Sequence, residues 1–533
     1  MEARTEKIDA GTAGLDHYKS RLPKWRYVIR ERLLPITRLE TPYVALLQER
    51  TRSPALDTYF AWTANLGTHT CFMVALPILF WCGNPYLGRA MTTTLAAGVY
   101  FSGFIKDLLC LPRPLSPPLT RITMSGSAAL EYGFPSSHST NAVSVTVFSI
   151  LLLRDPSTTI SPKICMYLQI LAYFYAVSIV LGRLYCGMHG FLDVVCGSLL
   201  GAIIAFGHFY LGPIKDEWMF SSTGNALLII FLVIAVLVRI HPEPADDCPC
   251  FDDSVAFAAV VLGVDSGGWH FARTQYADAS ATYPGTVPFS ISELGWPKVI
   301  ARIVLGVVVV FVWRAVMKPL LLRTLPPIFR LIENLGLDLP RRYFKPASEY
   351  QTVPDQRDDD NVIPSARDIP HLLTNFRQRR AISIGPQSEA DAYEALAYRQ
   401  KRRRDSLREQ NPSALRTEAI KDSEAGKDYF EPPKASHSRK RSLSLEEFRA
   451  QMGASADMLS PEAVGSPRAV DAKGSTGFSA EDEKDKSELF ATVQKPRVRY
   501  DVEVITKLVV YCGIGWLAVE GNPILFHHVG LSL

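Results

Sequence analysis

The sequence predicts an all-α membrane protein, a bundle of about eight or nine transmembrane helices with a long disordered polar insertion. Long apolar runs recur through the first 318 of the 533 residues, and one more follows residue 500. Between them, residues 345–500 are polar, charged and rich in Ser, Pro, Glu and Arg. The ordinary mean hydropathy of +0.07 therefore averages two unlike parts.

The apolar runs divide the chain into segments. A membrane-spanning helix needs about 20 mostly apolar residues, and six such runs in tandem exceed what a water-soluble core of this size can bury. We expect a basic, partly amphipathic segment at 1–57, a membrane-embedded bundle at 58–318, a largely disordered region at 319–500 and a C-terminal span at 501–533. The predicted spans are residues 63–81, 89–109, 140–153, 164–181, 194–211 and 226–238, with weaker candidates at 254–264, 299–317 and 508–519.

The flanking segments suggest surface roles. Residues 19–52 mix basic and apolar side chains, which is typical either of a helix on an anionic membrane surface or of a cap packed on the bundle. The composition of residues 345–500 is typical of disorder. Within it Ser406 and Ser442 each follow a basic cluster, so basophilic kinases are candidate partners.

Composition excludes some classes of protein. A net charge of +4 argues against a protein that coats nucleic acid. Nine cysteines in a chain of this length are no disulfide scaffold. Cys248 and Cys250 form a C-x-C pair beside four aspartates, but no second ligand pair follows at zinc spacing, so we expect no metal site.

Two cations end the second predicted span. Lys106 and Arg113 are seven residues apart, which is about two helical turns, so both can face the same way. Pro112 and Pro114 end the helix and stiffen the chain around Arg113. The alternative is a pair of basic side chains that extend to the membrane interface.

Small polar residues precede the third predicted span. Ser136 and Ser137 lie where a helix begins, and His138 lies among them. A helix N-terminus offers unpaired N–H groups and a positive dipole end, which together bind anions. A simple N-cap with an incidental histidine is the alternative.

A third polar cluster joins the fourth and fifth predicted spans. Arg183 can bind a phosphate through two N–H groups. His189 and Asp193 are four residues apart, so a helix would place them on one face, where the carboxylate can fix the imidazole tautomer. By itself such an H-x3-D pair is common by chance.

Topology predicts that the three clusters meet. One loop carries the first two, the third span crosses the bilayer, and the fourth returns to the side where the third cluster lies. We expect an anion-binding pocket that contains a nucleophile and a second titratable group. A transporter is another possibility because intramembrane charges also mark ion relays, although such proteins often have internal repeats and we find none.

These residues resemble the three signature motifs of the type 2 phosphatidic acid phosphatases, lipid phosphate phosphatases related to vanadium haloperoxidases. The pattern K-x6-RP is met at Lys106, Arg113 and Pro114, and PSGH appears as PSSH at residues 135–138. SR-x5-H-x3-D is met from Arg183 onward, with Gly182 in place of the leading Ser. The segments YGFPSSHSTN and CPCFDDSVAF resemble those of one branch of this family, the sphingosine 1-phosphate and fungal long-chain base 1-phosphate phosphatases.

The resemblance implies a metal-independent phosphomonoesterase without cofactor. It implies that His189 attacks phosphorus, that Asp193 orients it and that His138 protonates the leaving group. The implied phosphate-binding residues are Lys106, Arg113, Arg183, Ser136 and Ser137. The implied substrate is a phosphorylated sphingoid base in the bilayer. A phosphatidate or polyprenyl diphosphate phosphatase, or a non-catalytic lipid-phosphate binder, are the alternatives.

Two arguments about orientation disagree. The basic flanks and the positive-inside tendency would put the catalytic loops in the cytosol. The branch resemblance implies a multi-pass protein of the endoplasmic reticulum membrane with a lumenal active site, and we favour that placement.

Overall fold

A computed structural model describes residues 15–66, 69–116, 118–122, 131–156, 158, 160–246, 248–337, 344–351, 353 and 499–532. The predicted insertion from residue 354 to 498, with Ser406 and Ser442, lies outside them. The helices of the described chain are α1 (Leu15–Arg21), α2 (Lys24–Thr51), α3 (Pro54–Leu66), α4 (His69–Trp81), α5 (Pro85–Leu109), α6 (Ser137–Arg154), α7 (Pro162–Tyr185), α8 (Phe191–Ser221), α9 (Asn225–Ile240), α10 (Cys250–Phe271), α11 (Ile291–Asn334), α12 (Val502–Trp516) and α13 (Asn522–His528).

The predicted all-α membrane fold is confirmed. Four helical stretches are long and apolar enough to cross a bilayer, namely α7, α8, α11 and the continuous stretch Val502–His528. The apolar α9 is shorter, at 16 residues. Many large apolar side chains of these helices are exposed, as expected of surfaces that face lipid.

Two helix boundaries differ from the sequence expectation. The predicted span at 63–81 is divided between α3 and α4. The predicted bundle stops at residue 318, whereas α11 continues to Asn334 and contains three prolines beyond that point. The apolar run at 299–317 suggested that the helix ends near residue 318, but the helical backbone continues to Asn334.

The helix α5 lies at the centre of the bundle. Most of its 25 residues are buried, and it packs against α6 and α8 on one side and α10 on the other. α7 packs on α6, while α12 packs on both α10 and α11. A two-residue parallel pairing of Phe344–Lys345 (β1) with Arg499–Tyr500 (β2) precedes α12. The residues at the end of α5 therefore lie between two parts of the bundle, one containing α6 and α8 and the other containing α10.

Close approach of α6 and α8 depends on glycine. A Cβ at Gly197 would lie 2.6 Å from the Ser136 carbonyl oxygen, and one at Gly201 would meet the Thr140 carbonyl oxygen. Without side chains at these positions the two backbones can pack in direct contact, as small residues allow in membrane bundles. This packing holds the start of α6 against the start of α8.

We expect Gly201→Val to force α6 and α8 apart. Overpacking of this kind costs about 1–3 kcal/mol, so the midpoint of thermal unfolding in detergent should fall by several degrees. Gly207→Val on the same helix is the matched control, because no described atom lies within 4 Å of a Cβ built there. Equal thermal stability of the two variants would contradict this account of the packing.

Candidate active site

Lys106 occupies the last turn of α5. The helix ends at Leu109, and the C-cap residue Cys110 has a left-handed backbone (φ 52°) and donates its N–H to the Lys106 carbonyl oxygen. The Lys106 side chain is only 1% exposed, and its ammonium group donates to Glu131 Oε2 at 2.6 Å. Burying a charge is costly without such a partner. Glu131 was missed in the sequence because a single acidic residue in a polar loop carries no distinguishing pattern.

Arg113 joins the loops that follow α5 and α7. Its Nε donates to the Glu131 carbonyl oxygen at 2.9 Å, and Nη1 donates to the Met188 carbonyl oxygen at 2.8 Å. Nη1 also lies 3.1 Å from His189 Nε2. The structure thus brings together the first and third predicted clusters through one guanidinium group.

His189 has its two ring nitrogens in different environments. Nδ1 lies 2.9 Å from the Gly133 carbonyl oxygen, which can only accept a hydrogen bond. Nδ1 must therefore carry the proton of the neutral ring, and Nε2 presents its lone pair toward Arg113. The Gly133 carbonyl was missed in the sequence, since every residue has one and its position depends on the fold.

Asp193 lies beside His189 without bonding it directly. Its Oδ2 is 3.6 Å from His189 Nδ1, and the same oxygen accepts the Gly190 N–H at 2.8 Å. That bond caps the first turn of α8 in the manner of a capping-box acid. The described geometry thus gives the carboxylate two tasks, fixing the start of α8 and stabilising positive charge on the imidazole.

The start of α6 provides the third side of the site. Ser136 is its N-cap: Oγ accepts from the Ser139 N–H at 3.3 Å, and the Ser136 N–H donates to the Asp193 carbonyl oxygen at 3.0 Å. Ser137 follows in the first turn, where Ser102 of α5 donates to its hydroxyl at 3.2 Å. His138 is half-buried in the same turn. Ser136 thus mainly builds the cap, while Ser137 and His138 occupy the first turn of α6, where free N–H groups can bind an anion.

Arg183 completes the set of cations. It lies in the last turn of α7, is 5% exposed, and its Nε has no acceptor among the described residues. Burial together with the positive charges of Arg113, Lys106 and Arg183 holds the pKa of His189 well below its ordinary value of 6.5. His189 is therefore neutral at physiological pH and retains a lone pair for nucleophilic attack.

The site is electropositive and suited to a doubly charged phosphate. Three buried cations face two nearby carboxylates, those of Glu131 and Asp193, and both carboxylates already accept hydrogen bonds. A phosphate group would supply the missing negative charge and several acceptor oxygens. The convergence expected from topology is thus present in the described residues.

A long helix outside the predicted clusters holds their loops in place. From α2, Arg26 donates to the Leu108 carbonyl oxygen at 2.8 Å and Arg30 to the Cys110 carbonyl oxygen at 3.1 Å. These bonds satisfy carbonyl groups at the C-terminal end of α5, which lack partners within the helix. The sequence offered no signal for them, because donor and acceptor are about 80 residues apart.

The same helix also contacts the loop that follows α5, the end of α7 and the start of α8. The Gln48 amide donates to the carbonyl oxygens of Thr120 at 2.7 Å and Tyr185 at 2.8 Å, and it accepts the Thr120 N–H at 3.0 Å. The Leu192 N–H at the start of α8 donates to Glu40 Oε1 at 2.9 Å. Two of the three motif segments, the one at the end of α5 and the one between α7 and α8, are therefore tied to α2.

Only one group of metal-type donors is found among the described residues, and it lies next to Lys106 at the end of α5. It consists of Asp107, Cys248 and Cys250, all buried. Arg499 bonds the Cys248 carbonyl oxygen and Arg26 bonds the Asp107 carbonyl oxygen. Both bonds go to backbone carbonyl oxygens rather than to the Asp107 carboxylate or the thiols.

Comparison with known proteins agrees with the geometry. A model described as the PAP2 superfamily matches residues 87–216. A dihydrosphingosine 1-phosphate phosphatase of Schizosaccharomyces pombe is 42% identical over 306 residues, covering 57% of this chain and 72% of the relative. A dihydrosphingosine 1-phosphate phosphatase of Saccharomyces cerevisiae is 34% identical, covering 60% and 76%. Sphingosine-1-phosphate phosphatase 1 of Rattus norvegicus is 25% identical, covering 53% and 66%. No solved structure matches the chain.

Proposed function

The chain belongs to the PAP2 superfamily and is a lipid phosphatase, and we propose that it hydrolyses long-chain sphingoid base 1-phosphates through a phosphohistidine intermediate. One observation supports the chemistry above all others: a neutral imidazole presents Nε2 to a group of buried cations at one end of a membrane bundle. The names of the relatives support the substrate class, which includes dihydrosphingosine, phytosphingosine and sphingosine 1-phosphates.

In the first step His189 Nε2 attacks phosphorus. A P–N bond forms while the P–O bond to the lipid breaks, and Lys106, Arg113 and Arg183 stabilise the charge on the transferring oxygens. His138 donates a proton to the departing alkoxide, which is otherwise a poor leaving group.

In the second step water attacks the phosphohistidine. His138, now unprotonated, accepts a proton from the water, and inorganic phosphate leaves with restoration of the neutral His189. Asp193 stabilises the imidazolium character that develops while phosphorus is bound to the ring. The buried cations supply the electrostatic stabilisation for which other phosphatases use metal ions, so we propose a metal-independent reaction.

A substrate panel tests the specificity. Free phosphate should be released from sphingosine and dihydrosphingosine 1-phosphates at least about tenfold faster than from phosphatidate or a polyprenyl diphosphate at matched surface concentration, a difference of about 1.4 kcal/mol. A divalent chelator in the assay should leave the rate unchanged. Preference for phosphatidate or the diphosphate would favour the alternative lipid phosphatase, and no release from any lipid would favour a binder or transporter.

Replacing the nucleophile tests the mechanism. His189→Ala should abolish turnover, with at least about a thousandfold loss, because no other group can form the covalent intermediate. Rapid acid-free quenching of the wild-type protein with radiolabelled substrate should trap an acid-labile phosphoenzyme that His189→Ala lacks. His208→Ala on α8, where the ring packs on Phe148, is the control and should retain both signals. A normal rate in His189→Ala would eliminate the scheme.

The protein is a membrane protein, and we propose that it lies in the endoplasmic reticulum with its active site facing the lumen. The family resemblance supports this side. The opposing charge bias is weakened because Arg26 and Arg30 are buried and bind carbonyl groups, so these basic residues have a structural task.

Protease protection tests the orientation. In sealed microsomes an epitope inserted within residues 114–131 should resist added protease and become sensitive once detergent opens the membrane. An epitope that is cut in intact microsomes would place the site in the cytosol. That result would overturn the proposed orientation and leave the proposed chemistry unaffected.

A further inference from the structure

The helix α2 lies across the catalytic end of the bundle. Arg26 contacts the end of α5, Glu40 contacts the start of α8, and Gln48 contacts the loop that follows α7. From residue 26 to residue 48 a helix extends about 33 Å. A helix that touches the ends of several bundle helices over this length runs across them, and therefore along the membrane surface.

One face of α2 is turned away from the protein. Five large apolar side chains on it are exposed, with Trp25 at 56% and Leu39 at 66%. At 100° per residue they fall within an arc of about 100° around the helix axis. The full set is Trp25, Val28, Ile29, Ile36 and Leu39.

The opposite face holds the catalytic segments. Arg30, Thr41 and Gln48 are at most 5% exposed, and they lie roughly 140–160° around the helix from Trp25. One helix thus has an apolar outer face and a polar inner face that bonds backbone groups of the site. This polarity is the reverse of a soluble surface helix, whose apolar face is the buried one.

We propose that α2 lies in the interfacial layer of the bilayer, with its apolar face among the upper acyl chains, and that this placement positions the catalytic loops toward substrate in the membrane. Lipid is the occupant that fits, because α2 contacts the end of α7 and the start of α8, two helices that are long and apolar enough to cross a bilayer and that expose many large apolar side chains. The exposed Arg32 lies within the apolar arc, where a long basic side chain can keep its stem among apolar groups and extend its charge to the lipid headgroups.

The position of α2 can be measured without reference to catalysis. A Leu39→Cys variant of the full chain carries an environment-sensitive fluorophore in nanodiscs of phosphatidylcholine and phosphatidylserine. We expect a blue-shifted emission that is quenched by shallow spin-labelled lipid. Glu31→Cys, exposed on another side of α2, should remain in water, and labelling of the unsubstituted chain corrects for native cysteines. A label at residue 39 that stays in water, or that is shielded by a bound protein rather than by lipid, would overturn the proposal.

The functional consequence rests on the proposed activity. Ile36→Asp with Leu39→Asp should lower hydrolysis of vesicle-embedded sphingoid base phosphate by about tenfold or more and spare a water-soluble phosphomonoester. Gln48→Leu, which removes bonds on the inner face, should lower both activities. If Ile36→Asp with Leu39→Asp lowers the hydrolysis of both substrates equally, α2 does not serve to position the catalytic loops toward substrate in the membrane. If no substrate is turned over by the wild-type chain, the proposed function fails while the fluorescence result still decides where α2 lies.

Discussion

The burial of three cations at one end of the bundle is the constraint on which the rest of the site depends. Lys106, Arg113 and Arg183 are each almost inaccessible to solvent, and unpaired buried charges cost several kcal/mol each. The fold reduces that cost with Glu131 and with backbone carbonyl oxygens, but it leaves Arg183 Nε without an acceptor in the described chain. An electropositive cavity of this kind is most stable when it holds an anion.

The scaffold around the cations explains why they keep their positions. α5 is held between the two halves of the bundle, so its last turn cannot shift without disturbing both. Glycine contacts fix α6 against α8, and the Ser136 N–H bond to the Asp193 carbonyl oxygen joins the two helix starts directly. α2 then ties the loops between these helices to one rigid element. Preorganised charges avoid the reorganisation that water would need in the same reaction.

The sequence could predict the parts of the site that depend on side-chain type and spacing. The positions of Lys106, Arg113, Arg183, His138 and His189 followed from polar residues at the ends of apolar runs. The Gly133 carbonyl, Glu131, Glu40 and Gln48 could not be predicted, because a backbone acceptor has no residue signature and a contact between distant segments leaves no local period. The extension of α11 to Asn334 was missed for a similar reason, since hydropathy reports where lipid ends and not where a helix ends.

The three buried cations, Lys106, Arg113 and Arg183, meet two chemical requirements that conflict at first sight. A phosphate dianion needs positive charge to bind, whereas a histidine nucleophile must stay unprotonated to attack. Burial, together with the nearby charges of Arg113 and Lys106, holds the pKa of His189 well below its ordinary value, so the cations that would attract a phosphate also help to keep Nε2 unprotonated. The Gly133 carbonyl holds the remaining proton on Nδ1, which leaves Nε2 as the nitrogen aimed at the pocket. In the proposed mechanism the negative charge of the phosphate offsets the cations. The imidazole can then accept the positive charge that bond formation places on the ring, with Asp193 3.6 Å from Nδ1.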